Sequence, residues 1–550
     1  MKAAAARTLL LLLAFTAVWF SNLEYRKLIN PDEGRYAEIP REMVASGDWT
    51  TPRLNDIKYF EKPALQYWAT AVAYTLFGEH QWTARLWSAL TGFLGVFMVY
   101  FTGRQLFGAR AGGYAALVLG SSLLWVLIAH VNTLDMGVSF FLSAAVCAFV
   151  LAQRDATNAR ARARWMLAAW AALALAVLSK GLIGLVLPGA ALVLYILIER
   201  DWRLAGRLHL IAGSALLLAL TVPWFVAVSR ANPEFFHFFF IHEHFERFLT
   251  KQHGRYQPAY YFIPVLLAGM LPWTITLFDA LARAWKRDAQ QRFQAQRFLL
   301  VWAAVVFVFF SASSSKLVSY ILPMFPALAL LIGVRLAQLG ARALAWQTLP
   351  AALAGMTLLA LLPGIERYAS REVPAEMFRA YADWLIAAAA LQIAGAAACA
   401  WLAWRGKTNA ALAVFALTGL AFAQLALSGH ESLSKANSAY YIAQKIKPEM
   451  KPGMPFYSVN TYDQSLQFYL RRSTTMVVYK DELGFGIEHE PEKFIPDFAQ
   501  FEKTWIAQRE ALALMSPDAY DMFRAKGLPM RLVARDTRRI IVARRPAASP

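Results

Sequence analysis

The chain has 550 residues, of which 58% are hydrophobic and 17% charged, with a formal net charge of +19. Soluble domains hold roughly 45–50% apolar residues, so this composition excludes an ordinary soluble fold and sends much of the chain into lipid. The basic balance fits a membrane protein whose cytoplasmic loops collect Lys and Arg. It is not accompanied by a nucleic-acid recognition motif.

At the N-terminus, Lys2 and Arg7 precede the apolar stretch 9–20. This resembles a signal peptide, but Trp19, Phe20 and Asn22 stand where a small-residue cleavage site would be, so an uncleaved signal-anchor helix is expected. A spanning helix needs about 20 apolar residues. Runs of that kind lie near 3–22, 84–106, 111–128, 134–152, 165–179, 181–198, 208–228, 260–281, 297–312, 318–339, 347–364, 382–404 and 409–428. The length criterion thus gives about thirteen spans, with 64–77 as a further partial or interfacial segment. The two cysteines, Cys147 and Cys399, fall inside these runs and set up no aqueous disulfide.

Every second connection is basic, for example Arg154 with Arg160, Arg162 and Arg164, or Arg283 with Lys286 and Arg287. The positive-inside rule places these loops in the cytoplasm. The connections 23–83, 130–133, 179–180, 229–259, 313–316 and 365–381 then face outward, and an odd number of spans sends the C-terminal region outward too. The expected division is a membrane domain over 1–428 and an outward α/β domain over 429–550. In the latter, 439–446, 465–471 and 501–515 read as helices, 455–459 and 475–479 as strands, and 531–535 with 539–543 as a closing hairpin.

The long outward loop carries the first candidate chemistry. Asp32 and Glu33 open a short amphipathic helix reaching about Val44. Acids after Pro31 suit a helix N-terminus, and a carboxylate at the membrane surface also suits base or electrostatic work. Further on, Tyr59, Glu61 and Lys62 precede the Trp68-bearing segment. Lys62 is either an interfacial anchor or, on the outer side where cations are not favoured, a phosphate ligand. Lys180, Arg230, Arg247, Lys251, Arg255 and Lys316 share that outward placement, Lys180 in a tight turn between two spans. Asp135 opens the fourth span, as an N-terminal acid or as an acid at the rim of the bundle facing Asp32. In 242–246, His242 and His244 alternate with Glu243. The H-x-H spacing is a weak metal signal, and a divalent metal held by His242 with Glu61 is the candidate cofactor.

These residues stand in recognisable company. Asp32-Glu33-Gly34-Arg35-Tyr36, Gly47-Asp48-Trp49, Glu61-Lys62-Pro63, Thr133-Leu134-Asp135, Ser179-Lys180-Gly181, Pro223-Trp224, Asn232-Pro233-Glu234-Phe235 and Ser315-Lys316-Leu317 resemble the GT-C membrane glycosyltransferases. These use polyprenyl-phosphate sugars and are related to protein O-mannosyltransferases. Within that group the sequence is most similar to the bacterial lipid A 4-amino-4-deoxy-L-arabinose transferases. Ala64 departs from the second proline common after Glu-Lys-Pro, which bears on helix geometry there.

The resemblance implies a polytopic α-helical fold with outward juxtamembrane helices and a cavity between them and the bundle. It implies Asp32 and Asp135 as catalytic acids, Lys62, Arg247 and Lys180 as donor-phosphate ligands, and Glu33, Tyr59 and Glu61 as cavity lining. The implied donor is a sugar on undecaprenyl phosphate, the acceptor a lipid A phosphate, and the location the periplasmic face of a bacterial inner membrane. A related transferase with another sugar or a protein hydroxyl acceptor is an alternative. A transporter is another, although transporters place ionisable groups near mid-bilayer, whereas these gather at one face.

Overall fold

The computed structural model describes residues 2–246 and 256–544, with only the backbone of 2–8, 11 and 242–246. Among the described residues nine helices are long and apolar enough to cross a membrane. Two further pairs qualify as bent units, Ala109–Leu119 with Leu123–Ala129 and Ala259–Gly269 with Thr274–Ala284, broken by 63° and 113°. Helices Lys2–Phe20 and Ile183–Glu199 occupy the two remaining expected runs. The protein is therefore a polytopic helical membrane protein.

The two breaks explain each other. Backbone freed by a broken helix must be satisfied inside the protein, because lipid offers no partner. Leu123 N donates to Leu271 O at 3.0 Å, and Trp273 Nε1 donates to Ser121 Oγ at 2.9 Å, so each bend supplies the other. Elsewhere small residues bring spans together: a Cβ on Gly112 would lie 2.4 Å from Arg104 N, which leaves room only for glycine where Ala109–Leu119 folds back on Gln81–Phe107.

One end of the bundle carries a second layer. The 23–83 connection contains the helix Asp32–Ser46, a two-stranded hairpin pairing Arg53–Leu54 with Ile57–Lys58, and the helix Leu65–Phe77. Above it lies a six-stranded sheet in the order Phe494–Ile495, Thr475–Val477, Phe456–Val459, Leu512–Met515, Ile540–Arg544, Met530–Arg535. The first four strands are parallel, and Ile540–Arg544 runs antiparallel to both of its neighbours. The expected closing hairpin is present. The expected helix over 501–515 is not continuous: Phe498–Ala507 is helical, but Leu512–Met515 is a central strand. Its four residues are all buried, and a short apolar run buried on both faces has no helical or alternating pattern to reveal it.

The sheet domain docks directly onto the juxtamembrane helix. A Cβ on Gly34 would sit 2.5 Å from Ser465 N, so the backbones of Asp32–Ser46 and Gln464–Leu470 touch through the missing side chain. Asn55 exchanges two hydrogen bonds with the backbone of Thr474, Nδ2 to O at 2.7 Å and N to Oδ1 at 2.6 Å.

Candidate active site

The adjacent acids Asp32 and Glu33 point in different directions, as successive helical residues do. Glu33 turns inward and is buried. Its oxygens accept from Arg85 Nε and Nη2 at 2.7 Å each, from Ile29 N at 3.0 Å and from Asn132 N at 2.9 Å. Arg85 also donates to the carbonyls of Leu23, Arg26 and Lys27. Burial by itself would raise the Glu33 carboxyl, but Arg85, with Arg26 beside it, brings it down to about 2. Glu33 thus ties the outer loop to the bundle and does not line an open cavity.

Asp32 turns outward, with its side chain 43% exposed. Arg35 Nη1 donates to its Oδ1 at 2.8 Å, and Arg35 Nη2 pairs with Glu482 of the sheet domain. Gln464 Nε2 donates to the other Glu482 oxygen at 2.5 Å. Burial raises the Glu482 carboxyl despite Arg35. Arg35 therefore straps Asp32 to the sheet domain.

Around this strap stand buried tyrosines. The Tyr36 phenol is pushed up by burial, opposed by Arg35, and pushed further by Asp32, Glu61 and Asp135, so it lies in the field of three of the expected acids. The hydroxyls of Tyr59, Tyr67 and Tyr462 are buried without a hydrogen-bond partner among the described residues. Burial raises all three, and each lies in the field of Glu482 and Arg35. Buried polar groups are ordinarily partnered, and these three hydroxyls lie sealed around the strap.

Asp135 forms the opposite wall. Its Oδ1 pairs with Lys180, and its Oδ2 accepts from Ser319 Oγ at 2.6 Å. The Lys180 ammonium lies 4.7 Å from the Tyr320 ring centroid. Lys62 donates to the Glu61 carbonyl at 2.7 Å, with a Glu61 carboxylate oxygen at 3.7 Å. Lys316 donates to the carbonyls of Gln257, at 2.9 Å, and Ser313, and so ties loop to loop.

Residues 247–255, with Arg247, Lys251 and Arg255, lie outside the described residues, as does the side chain of His242. Among the described residues no group of three or more His, Cys, Asp or Glu is gathered closely enough for a metal. Of the expected metal ligands Glu61 alone is described, beside Lys62.

Sequence reasoning thus named Asp32, Asp135, Lys62, Lys180, Tyr59 and Glu61, which ion pairs and mutual fields link in one neighbourhood. It missed Arg35, Glu482, Ser319 and the unpartnered Tyr67 and Tyr462. Arg35 had a local signal, three residues after an acid on one helix. Glu482 had none, because its place depends on how the sheet domain docks.

The fold is shared with known proteins. A family model described as dolichyl-phosphate-mannose-protein mannosyltransferase matches residues 4–239, and one described as the aminoarabinose transferase C-terminal domain matches 442–544. The structure superposes on the crystal structure of ArnT from Cupriavidus metallidurans bound to undecaprenyl phosphate with a TM-score of 0.95, at 41% identity, over 100% of both chains. The chain belongs to the ArnT family. The undecaprenyl phosphate-alpha-4-amino-4-deoxy-L-arabinose arabinosyl transferase of Erwinia tasmaniensis is 34% identical over 343 residues, 61% of this chain and 61% of that protein. The aligned stretch thus spans less than two thirds of that ArnT relative. An archaeal oligosaccharyltransferase from Archaeoglobus fulgidus shares the fold alone, with a TM-score of 0.52 at 14% identity over 94% of this chain and 68% of that one.

Proposed function

We propose that this protein transfers 4-amino-4-deoxy-L-arabinose from undecaprenyl phosphate to a phosphate of lipid A, at the periplasmic face of a bacterial inner membrane. The observation that carries the reading is the end-to-end likeness to an ArnT crystallised with undecaprenyl phosphate, reinforced by acids and cations gathered at one mouth. In this reading residues 1–428 form the membrane transferase and 429–550 the periplasmic domain.

The chemistry follows from charge. Displacement at the anomeric carbon breaks its bond to the donor phosphate oxygen while a lipid A phosphate oxygen forms the new one. The bonding electrons leave with undecaprenyl phosphate, which gains one negative charge. Lys62 and Lys180 supply cations where that charge grows, with Arg247 the third expected ligand. The acceptor phosphate is already ionised, so Asp32 need not remove a proton. Its part is electrostatic: Arg35 engages Oδ1, and the carboxylate faces the positive charge developing at the anomeric centre or the sugar's ammonium.

Mass spectrometry of lipid A from cells with and without the gene tests this reading. A mass increment of one aminopentose on a lipid A phosphate, present only with the gene and lost in Asp32→Asn, is expected. Identical lipid A in both strains would reject it.

A further inference from the structure

Besides Tyr462, the sheet domain reaches the site through the short segment 482–490. Glu482 pairs with Arg35, which holds Asp32. Phe485 stacks on Phe238 with ring centroids 3.9 Å apart and meets Phe60 edge-on at 6.0 Å. Gly486 lies against Lys58, where a Cβ would approach the carbonyl oxygen to 2.3 Å. Glu490 accepts from Lys58 N at 3.1 Å and Arg53 Nη1 at 3.0 Å, and Lys58 Nζ pairs with Glu234 at 2.7 Å. The segment therefore grips two stretches at once. One is 53–60, which ends just before Glu61 and Lys62; the other is 234–240.

The packing of Phe485 shows which body it serves. Its ring joins the aromatic cluster of the membrane side, with Phe60, Leu178, Trp224, Phe235 and Phe239. It takes no part in the core of its own domain around Phe501, Trp505 and Phe523. A side chain that leaves its domain to complete a neighbour's cluster fixes the relation between the two.

We infer that segment 482–490 is a positioning element of the donor site, with Phe485 holding the Lys62-bearing loop against the Phe235–Phe240 stretch and Glu482 holding Arg35 against Asp32. The inference rests on the proposed donor, but its test does not need the sugar.

The experiment measures undecaprenyl phosphate binding to the purified full-length protein, with transfer kinetics and melting alongside. Phe485→Ala should weaken binding and raise the donor KM by up to about tenfold, with kcat little changed and melting close to wild type. Phe485→Tyr should restore binding. Glu482→Gln should act the other way, lowering kcat while leaving donor KM near wild type. Arg471→Ala removes a junction contact to Glu79 (2.9 Å) that touches neither donor stretch, and should leave binding unchanged. Wild-type binding in Phe485→Ala, no recovery in Phe485→Tyr, or an equal loss in Arg471→Ala would overturn the inference. If the wild type binds undecaprenyl phosphate yet transfers no aminoarabinose, the sugar assignment fails and the binding arm still decides the positioning role.

Discussion

Replacing Glu33 by Gln keeps the shape of the side chain and removes its charge, leaving Arg85 buried with an uncompensated positive charge. The cost can be reached in two ways. Breaking a buried ion pair by removing one partner typically destabilises by about 3–5 kcal/mol. Independently, a carboxyl held at about 2 in place of 4.5 contributes about 3 kcal/mol at neutral pH. Because the folded value lies below the unfolded one, that contribution is complete above about pH 4.5 and is lost as pH falls towards 2. Melting of the detergent-solubilised protein, wild type against Glu33→Gln, should therefore show a gap of several degrees at pH 7. The gap should narrow as pH is lowered, because the wild type progressively gives up the same charge. Equal melting at pH 7, or a gap that ignores pH, would refute the assignment of Glu33 as a structural clamp. Loss of transfer with unchanged melting would return it to the substrate cavity.

Asp32→Asn should show the opposite pattern, abolishing transfer while melting stays near wild type, since the side chain is half exposed and held by Arg35; near-normal turnover would reduce Asp32 to a helix-start acid. Lys62→Ala should weaken undecaprenyl phosphate binding roughly ten- to hundredfold, the loss of a charge-assisted contact of about 1.5–3 kcal/mol. Arg247→Ala should match it, and Lys251→Ala on the same loop should do little. For topology, a cysteine at exposed Lys503 should react with an impermeant reagent in intact spheroplasts, and one at Ala156 in a basic loop only after lysis; the reverse pattern would invert the orientation.

The membrane architecture was legible because it obeys one-dimensional rules. Span length, loop charge and the helix start at Asp32 all leave local marks, and the apolar runs became helices or bent pairs. The bends were invisible as bends, because Trp273 meets Ser121, and Leu123 meets Leu271, only across the bundle. The strand Leu512–Met515 was hidden by its burial on both faces. At the site, residue types were legible but assignments were not: Asp32 and Glu33 look alike in sequence, and only Arg85, 52 residues on, separates their tasks. Glu482 could not be found at all, because it comes to Arg35 through docking that a glycine, Gly34, permits.

Lys62 and Lys180 are each engaged by neighbouring protein oxygens, and this has an energetic meaning. A charge at a low-dielectric mouth must be compensated, and Asp135 does so for Lys180 while Glu61 lies beside Lys62. In the proposed reaction the donor phosphate competes with a carboxylate for Lys180, which limits ground-state binding. When the donor bond breaks, the departing phosphate gains a charge and the competition shifts in its favour, so the interaction strengthens along the reaction coordinate. Asp135→Asn should accordingly bind undecaprenyl phosphate, the product, more tightly than wild type, while transfer slows because release is impeded and Lys180 loses its orientation. Equilibrium binding together with a pre-steady-state burst would reveal both. Weaker product binding in Asp135→Asn would mean that Asp135 aims Lys180 at the phosphate and does not compete with it.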